Sequence, residues 1–322
     1  MNFKMSTVKY YLLIVCSVVF ITACEQQSSV SNVNDTKSNK PIIALIMKSL
    51  ANEFFVVMGR GATEHQKQNS DQYELILNGI KDESDLAQQV VLIDQMVAAG
   101  VDAIVIAPAD SKAVVPALAR ARDAGVYVVN IDNKLDDSVL AEYSFTVPFV
   151  GPDNRQGAKS VASTLLSTFA QGTQVAILEG VPTAFNSQQR VAGFEDSIKE
   201  HELTLVDKQS AAWDQTKAVS ITSALLIKYP ELKAILAAND NMAIGAISAI
   251  TQARKTGQVD VVGFDNISAA QRLINEGKMF ATADQHGDQL AVFGIEFALE
   301  AIAGNKTQVV NKNTPVDIVL KK

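Results

Sequence analysis

From Pro41 onward, short continuous apolar runs alternate with stretches of helical periodicity, and that alternation restricts the chain to very few folds. The first run is Ile42-Ile43-Ala44-Leu45-Ile46-Met47, followed by a helical stretch from about Glu53 to Gln68. Residues 73–77, 103–107 and 126–131 are further strand-like runs, separated by helical segments at 85–99 and 111–121. A strand that is apolar along its whole length needs cover on both faces. That is the situation of a strand in a parallel sheet with helical crossovers. The pattern restarts after Pro152, with strand-like segments at 174–178, 203–206, 234–238 and 259–264 and helices near 157–169, 188–200, 216–227 and 242–254. The expected fold class is therefore α/β, with two doubly wound parallel-sheet lobes of similar size. The break near 147–153 is the expected first hinge; the tail adds a helix at 290–303 and a final strand at 316–320.

The N-terminus sets the compartment. Lys4 and Lys9 precede an apolar run over 10–20, broken only by Ser17, and Ile21-Thr22-Ala23-Cys24 follows. A basic start, a short apolar region and small residues before a cleavage point describe a secretory signal. The run is about half the roughly 20 residues that a membrane-spanning helix needs. Cys24, directly after the small residues, resembles the lipobox of bacterial lipoproteins, in which it would be diacylated and become the mature N-terminus; a plain secretory signal with an incidental Cys24 is the alternative. Residues 25–40, EQQSSVSNVNDTKSNK, contain too little apolar surface to order themselves and read as a flexible tether.

The full sequence of 322 residues is 48% hydrophobic and 20% charged, ordinary globular chemistry. Removing residues 1–23 takes away two lysines and no acids, so the net charge of −7 becomes −9. An acidic surface repels phosphate backbones and argues against a nucleic-acid partner. The two cysteines, Cys16 in the apolar run and Cys24, leave no pair in the mature fold to oxidise, so stability rests on the core.

Ligands of open α/β sheets sit outside the carboxyl ends of the strands. Lys48, Asn52, Phe54 and Phe55 follow the first strand, and Asp132 and Asn133 the fourth. In the second half come Glu179 with the 186–190 segment, Trp213-Asp214, Asn239-Asp240, Asp265-Asn266 and Gln285. Amides, carboxylates, a guanidinium and flat rings together suit a sugar, whose hydroxyls both donate and accept and whose C–H faces pack on aromatic surfaces. Helix capping is the competing explanation for any one of these residues, Asn239-Asp240 above all. A pattern repeated at five or six strand ends is harder to assign to caps alone.

With those residues in place, the chain from Ile42 to its C-terminus resembles the periplasmic sugar-binding proteins of the ribose/galactose type that serve ABC importers. The matching stretches are 43–55 (IALIMKSLANEFF), 107–114 (APADSKAV), 151–157 (GPDNRQG), 237–246 (AANDNMAIGA), 261–265 (VVGFD) and 281–285 (ATADQ). The resemblance implies two lobes joined by a three-segment hinge. Residues 41–151 with 286–317 would form the N-terminal lobe and 152–285 with 318–322 the C-terminal lobe, behind a signal peptide (1–23) and a tether (24–40). It implies a monosaccharide or related polyol in the cleft, with Asn52, Phe54, Phe55, Asp132, Asn133, Trp213, Asn239, Asp265 and Gln285 at the family's sugar-contacting positions. Lys48, Gln188 and Arg190 complete the expected set, Lys48 facing either ligand or solvent and either Gln188 or Arg190 being the contact on that side. Ribose binders have a small residue at the Lys48 position and arginines at the Asn133 and Gln188 positions. Asn133-Lys134 and Ala211-Ala212-Trp213-Asp214 instead look like the glucose/galactose type, in which Arg190 would be the ligating arginine. The calcium loop of that type is not recognisable.

No cofactor, metal or catalytic set is expected. Gly59-Arg60-Gly61 lies inside a helical stretch, lacks the third glycine of a dinucleotide fingerprint and reads as helix packing; neither GxxxxGK[ST], G-x-S-x-G nor CxxC occurs. Of the scattered histidines, His65 and His201 are expected on polar helix faces and His286 near the cleft. A sugar-responsive transcription regulator shares the two-lobed body but needs a DNA-reading helix-turn-helix where this chain has an export signal. The expected role is capture of a sugar for an ABC permease by a monomer tethered in the bacterial periplasm, the alternative being a ligand-loaded partner of a chemoreceptor or sensor kinase.

Overall fold

A computed structural model describes residues 40–304 and 310–321. The apolar runs of the first half become β1 (Ile42–Met47), β2 (Glu74–Gly79), β3 (Ala103–Ile106) and β4 (Tyr127–Ile131). Between and after them lie α1 (Glu53–Gln68), α2 (Leu86–Ala98), α3 (Val115–Asp123) and α4 (Asp137–Glu142). A short strand, β5 (Phe149–Pro152), closes this half. The second half runs α5 (Asn154–Leu166), β6 (Gln174–Glu179), α6 (Phe185–Glu200), β7 (Thr204–Ser210) and α7 (Gln215–Lys228). It continues with β8 (Ala234–Ala237), α8 (Asp240–Gln252), β9 (Asp260–Phe264), α9 (Ser268–Asn275) and β10 (Ala281–Asp284). The last elements are α10 (Gly287–Ile302), β11 (Lys312–Thr314) and β12 (Asp317–Leu320).

Two six-stranded sheets result, in the orders β11-β5-β4-β3-β1-β2 and β12-β10-β9-β8-β6-β7. Among the described residues all ladders are parallel except β10–β12, whose register pairs Ala281 with Leu320 and Asp284 with Asp317. Each sheet lies between helices, which is why β3 and β8 are buried along their whole length. Ile43, Leu45 and Ile46 of β1 are fully buried, each contributing about 1.5–3 kcal/mol of hydrophobic stabilisation. Helix α1 begins at the Asn52 cap and buries Phe54, Phe55, Met58, Gly59 and Ala62, one helical stripe. The packing role expected for Gly59-Arg60-Gly61 is visible: a Cβ on Gly61 would lie 1.9 Å from the Asp288 carbonyl oxygen of α10. His65 departs from expectation. Its Nδ1 lies 2.9 Å from the hydroxyl of the fully buried Tyr73, so the ring is half-buried and not on a solvated face.

The chain passes between the sheets three times. It leaves the first sheet between Pro152 of β5 and α5, which packs on β9 and β10. It returns between Asp284 of β10 and α10, which packs on β3 and β4. It crosses again at Pro315-Val316, between β11 and β12. The last crossing precedes the expected boundary after residue 317, because Asp317 already pairs with Asp284 in the second sheet. Polar Lys312-Asn313-Thr314 offers no apolar run by which β11 is foreseeable; it is an edge strand that reaches only β5.

Candidate functional site

The carboxyl ends of both sheets face each other across a cleft, and the loops there hold unusual backbone. Ser49, Asp132, Ala212, Trp213, Asp265, Asn266 and His286 all have positive φ, with Asp132 at 60°, Trp213 at 65° and Asp265 at 123°. Each such residue costs about 1–3 kcal/mol and persists only where its surroundings over-determine it. Trp213 is fixed from below by Gly180, where a Cβ would lie 2.2 Å from the indole ring.

From the first lobe, Lys48 follows β1 and is 2% exposed. Its Nζ lies 3.1 Å from Asp132 Oδ2 and 3.6 Å from Glu83 Oε2, and within 5.7 Å of the Phe55 and Trp213 rings. Asn52 caps α1, its Oδ1 accepting from Phe54 N at 3.0 Å, while Phe54 and Phe55 meet edge to face at 5.1 Å. From the second lobe, Arg190 donates from Nε to Asn154 Oδ1 at 2.8 Å and from Nη1 to the Ala238 carbonyl at 2.9 Å. Its guanidinium lies 3.8 Å over the Phe264 ring and 3.5 Å from Asp265 Oδ1. Gln285 Nε2 donates to that same Asp265 oxygen at 2.7 Å. Asn239 caps α8 through Met242 N and still faces the cleft, so capping and site roles coincide in one side chain. Asp214, by contrast, caps α7 and stays outside the chamber.

These residues enclose a small chamber, lined by Lys48, Asn52, Phe54, Phe55, Glu83, Asp132, Asn186, Arg190, Trp213, Asn239, Asp265 and Gln285. Glu83 Oε2, Asp132 Oδ2, Asn186 Oδ1, Arg190 Nη2, Trp213 Nε1 and Gln285 Oε1 are all buried without a hydrogen-bond partner, although the two carboxylate oxygens lie in the field of Lys48. Buried polar groups are nearly always satisfied, and six exceptions lining one chamber form a set of donors and acceptors of the kind that hydroxyl groups match.

Ten of the twelve expected site residues line this chamber. Gln188 and Asn133 do not. Gln188 is exposed, and its Nε2 donates to the Pro182 carbonyl at 2.8 Å. On a helix, positions i and i+4 share a face, so α6 turns Asn186 and Arg190 into the chamber and Gln188 away from it. Asn133 is fully buried behind the chamber wall, its Nδ2 donating to the Pro108 carbonyl at 3.0 Å. Glu83 and Asn186 are additions. Glu83 follows β2, where the strand-end rule applied as it did elsewhere, and Asn186 follows from the phase of Arg190 once α6 is known to start at Phe185. His286 lies at the second crossing, with Nε2 2.8 Å from Asp317 Oδ2, and not in the chamber.

Burial is the largest influence on these charges. It pushes Asp265 well above the carboxylate range, with Arg190 opposing and Asp240 and Asp132 adding to the rise. It also raises Glu83 against the pull of Lys48. Burial opposes the charge of Lys48 too, yet Asp132 and Glu83 outweigh it and the lysine rises. Glu83, with its carboxyl raised by burial, carries the consequence for pH. A folded-state value above the unfolded one means stability that is present below the ordinary glutamate value and lost as pH rises through the raised one. Ligand-free wild type should therefore lose unfolding free energy as pH climbs above about 4.3, the ordinary glutamate value. Glu83→Gln should flatten that slope in denaturant melts across pH; an unchanged slope would remove Glu83 as its source.

Residues 43–306 match the model of the periplasmic binding protein domain. A D-ribose/D-allose-binding protein of Pseudomonas aeruginosa is 48% identical over 308 residues, covering 94% of this chain and 96% of its own. The D-allose-binding periplasmic protein of Escherichia coli is 32% identical over 272 residues, covering 84% and 87%. Among solved structures, an ABC transporter solute-binding protein from Burkholderia multivorans superposes with a TM-score of 0.85 at 53% identity, covering 87% of this chain and 99% of its own. One from Actinobacillus succinogenes with bound D-allose gives 0.83 at 36%, covering 88% and 98%. These relatives are solute-binding proteins rather than enzymes, and the chain belongs to the periplasmic binding protein family as a sugar-binding member of the ribose-binding type.

Proposed function

We propose that the protein is the solute-binding component of an ABC importer and captures a single aldose of the D-ribose or D-allose kind by closing its two lobes around it. The observation that carries this reading is the set of partnerless polar atoms contributed to one chamber by both lobes. Neither lobe alone can satisfy every hydroxyl, so a sugar favours the closed state by the contacts that only closure completes. In this reading Asp132, Asn239, Asp265, Arg190 and Gln285 bind hydroxyls, Phe54 and Trp213 sandwich the ring, and Lys48 with Glu83 reads the substituent on the first-lobe side. The names of relatives support the sugar class: D-ribose/D-allose for the one at 48% identity, D-allose for the solved structure at 36%.

Titrating D-ribose, D-allose and other pentoses and hexoses by calorimetry tests this. A ligand at 100 times its Kd should add about 2.7 kcal/mol of stability. Trp213, the only tryptophan in the sequence, should change fluorescence, and the radius of gyration in solution scattering should fall. A tight sugar that leaves the scattering profile unaltered would defeat the clamp. We further propose lipidation at Cys24, which lies outside the described residues. The intact mass of membrane-extracted protein should show the diacylated cysteine, and an unmodified soluble N-terminus would refute it. Deleting the gene should abolish uptake; loss of a signalling response alone would favour the sensory role.

A further inference from the structure

The first N–H groups of a helix have no partner within it and need acceptors from outside. Helices α1, α2, α4, α5, α7 and α8 receive theirs from their own cap residues Asn52, Asp85, Asp136, Asp153, Asp214 and Asn239. In the second lobe, α6 starts after Ala184 and α9 after Ile267, and neither residue provides a side-chain cap. Their acceptors come from the opposite lobe. Phe185 N donates to Ser111 Oγ at 3.0 Å and Asn186 N to Asn133 Oδ1 at 3.2 Å. Ser268 N donates to Glu53 Oε1 at 3.1 Å.

The capping groups are themselves held in place by the first lobe. Asn133 Nδ2 is tied to the Pro108 carbonyl, and Ser111 Oγ donates to Asn133 Oδ1 at 3.4 Å. Beside them Thr183 Oγ1, in the loop before α6, donates across the cleft to Asp110 Oδ2 at 2.7 Å. Asp110 is fixed in turn by the backbone N–H groups of Lys112 and Ala113 at 2.7 and 2.8 Å. A carboxylate from Glu53 at the start of α9 also complements the positive end of that helix. None of Ser111, Asn133, Asp110 and Glu53 lines the chamber.

We propose that the closed form is held in part by helix capping across the cleft. Ser111 and Asn133 cap α6, and Glu53 caps α9, so residues that never touch the sugar set how long it is retained. The proposal rests on the clamp reading above, and it adds a ligand-independent share to closure. Opening hands three helix N–H groups to water; closing returns them to pre-oriented acceptors. Because α6 carries Asn186 and Arg190, its trans cap also registers that face of the chamber against the first lobe. Ser111, Asn133 and Glu53 are thus positioning residues for capture.

The test compares Ser111→Ala and Glu53→Ala with wild type and with Glu53→Gln, which keeps the Oε1 acceptor. Removing one cap typically costs a factor of about 2 to 30 in an equilibrium. Both alanine variants should speed dissociation of D-allose and D-ribose by a factor in that range, equally for the two sugars, with association rates unchanged. Glu53→Gln should stay near wild type. Ligand-free protein labelled through Lys81→Cys and Lys217→Cys, on opposite sides of the cleft mouth, should show fewer short inter-lobe distances in the alanine variants. Unchanged dissociation and distance distributions would overturn the proposal, as would an effect confined to one sugar. If neither sugar binds wild type, the sugar assignment fails, while the ligand-free distances still decide the caps.

Discussion

Arg190→Met is expected to abolish sugar binding and to lower the unfolding free energy of the ligand-free protein by about 3–5 kcal/mol, the cost of removing one partner from a buried charged network. The arginine is 2% exposed and orders three elements together. Its Nε reaches Asn154 at the start of α5, its Nη1 the Ala238 carbonyl at the end of β8, and its plane covers Phe264 of β9. Methionine fills much of the volume and satisfies none of these acceptors. Asp265 would lose the cation that opposes its protonation and rise further, because burial is the larger influence on it. Denaturant melts read the stability, and calorimetry at low temperature on the still-folded fraction reads the binding. A variant that keeps its stability and its affinity would show that Arg190 neither orders nor lines the site.

Asp265→Asn is expected to separate binding from folding. Losing a charged partner to buried hydroxyls costs about 2–5 kcal/mol, so affinity should fall at least about 30-fold. The fold should hardly notice. Burial holds Asp265 well above the carboxylate range, so ionisation there costs stability as pH rises, and a neutral isostere removes that cost at neutral pH. Asparagine also tolerates the positive φ of 123° better than alanine does. Unaltered affinity would take Asp265 out of the site. A melting temperature that falls in step with affinity would make it a structural residue instead.

How much of this was legible beforehand follows from what each signal measures. The continuous apolar runs of β1, β3, β4 and β8 report burial on both faces, and they locate the strands because nothing else buries four to six consecutive residues at that spacing. Helix α1 was predictable to its ends, since Asn52 caps it and its apolar stripe has a single period. The short strands β5 and β11 carry no such run and exist only because the chain crosses between sheets beside them. In the site, residues immediately after strands were visible from position alone, as Lys48, Asp132, Asn239 and Asp265 were. Side chains on helices were legible only in part: Phe54, Phe55 and Arg190 line the chamber as expected, whereas Gln188 turns away and Asn186, one turn before Arg190, takes the inner face.

Asn133 illustrates the remaining gap. Its type and its place after β4 suit a sugar contact, and in the folded protein its oxygen accepts from α6 of the other lobe. Amino-acid order alone establishes the α/β class, two lobes and a polar, aromatic-lined cleft, because burial periodicity and strand-end chemistry are local properties. Which side chains share the chamber, which cap a helix and which cap the facing lobe's helix depends on the docking of two sheets. That docking brings together groups as distant as Glu53 and Ser268, and no local pattern encodes the angle at which they meet.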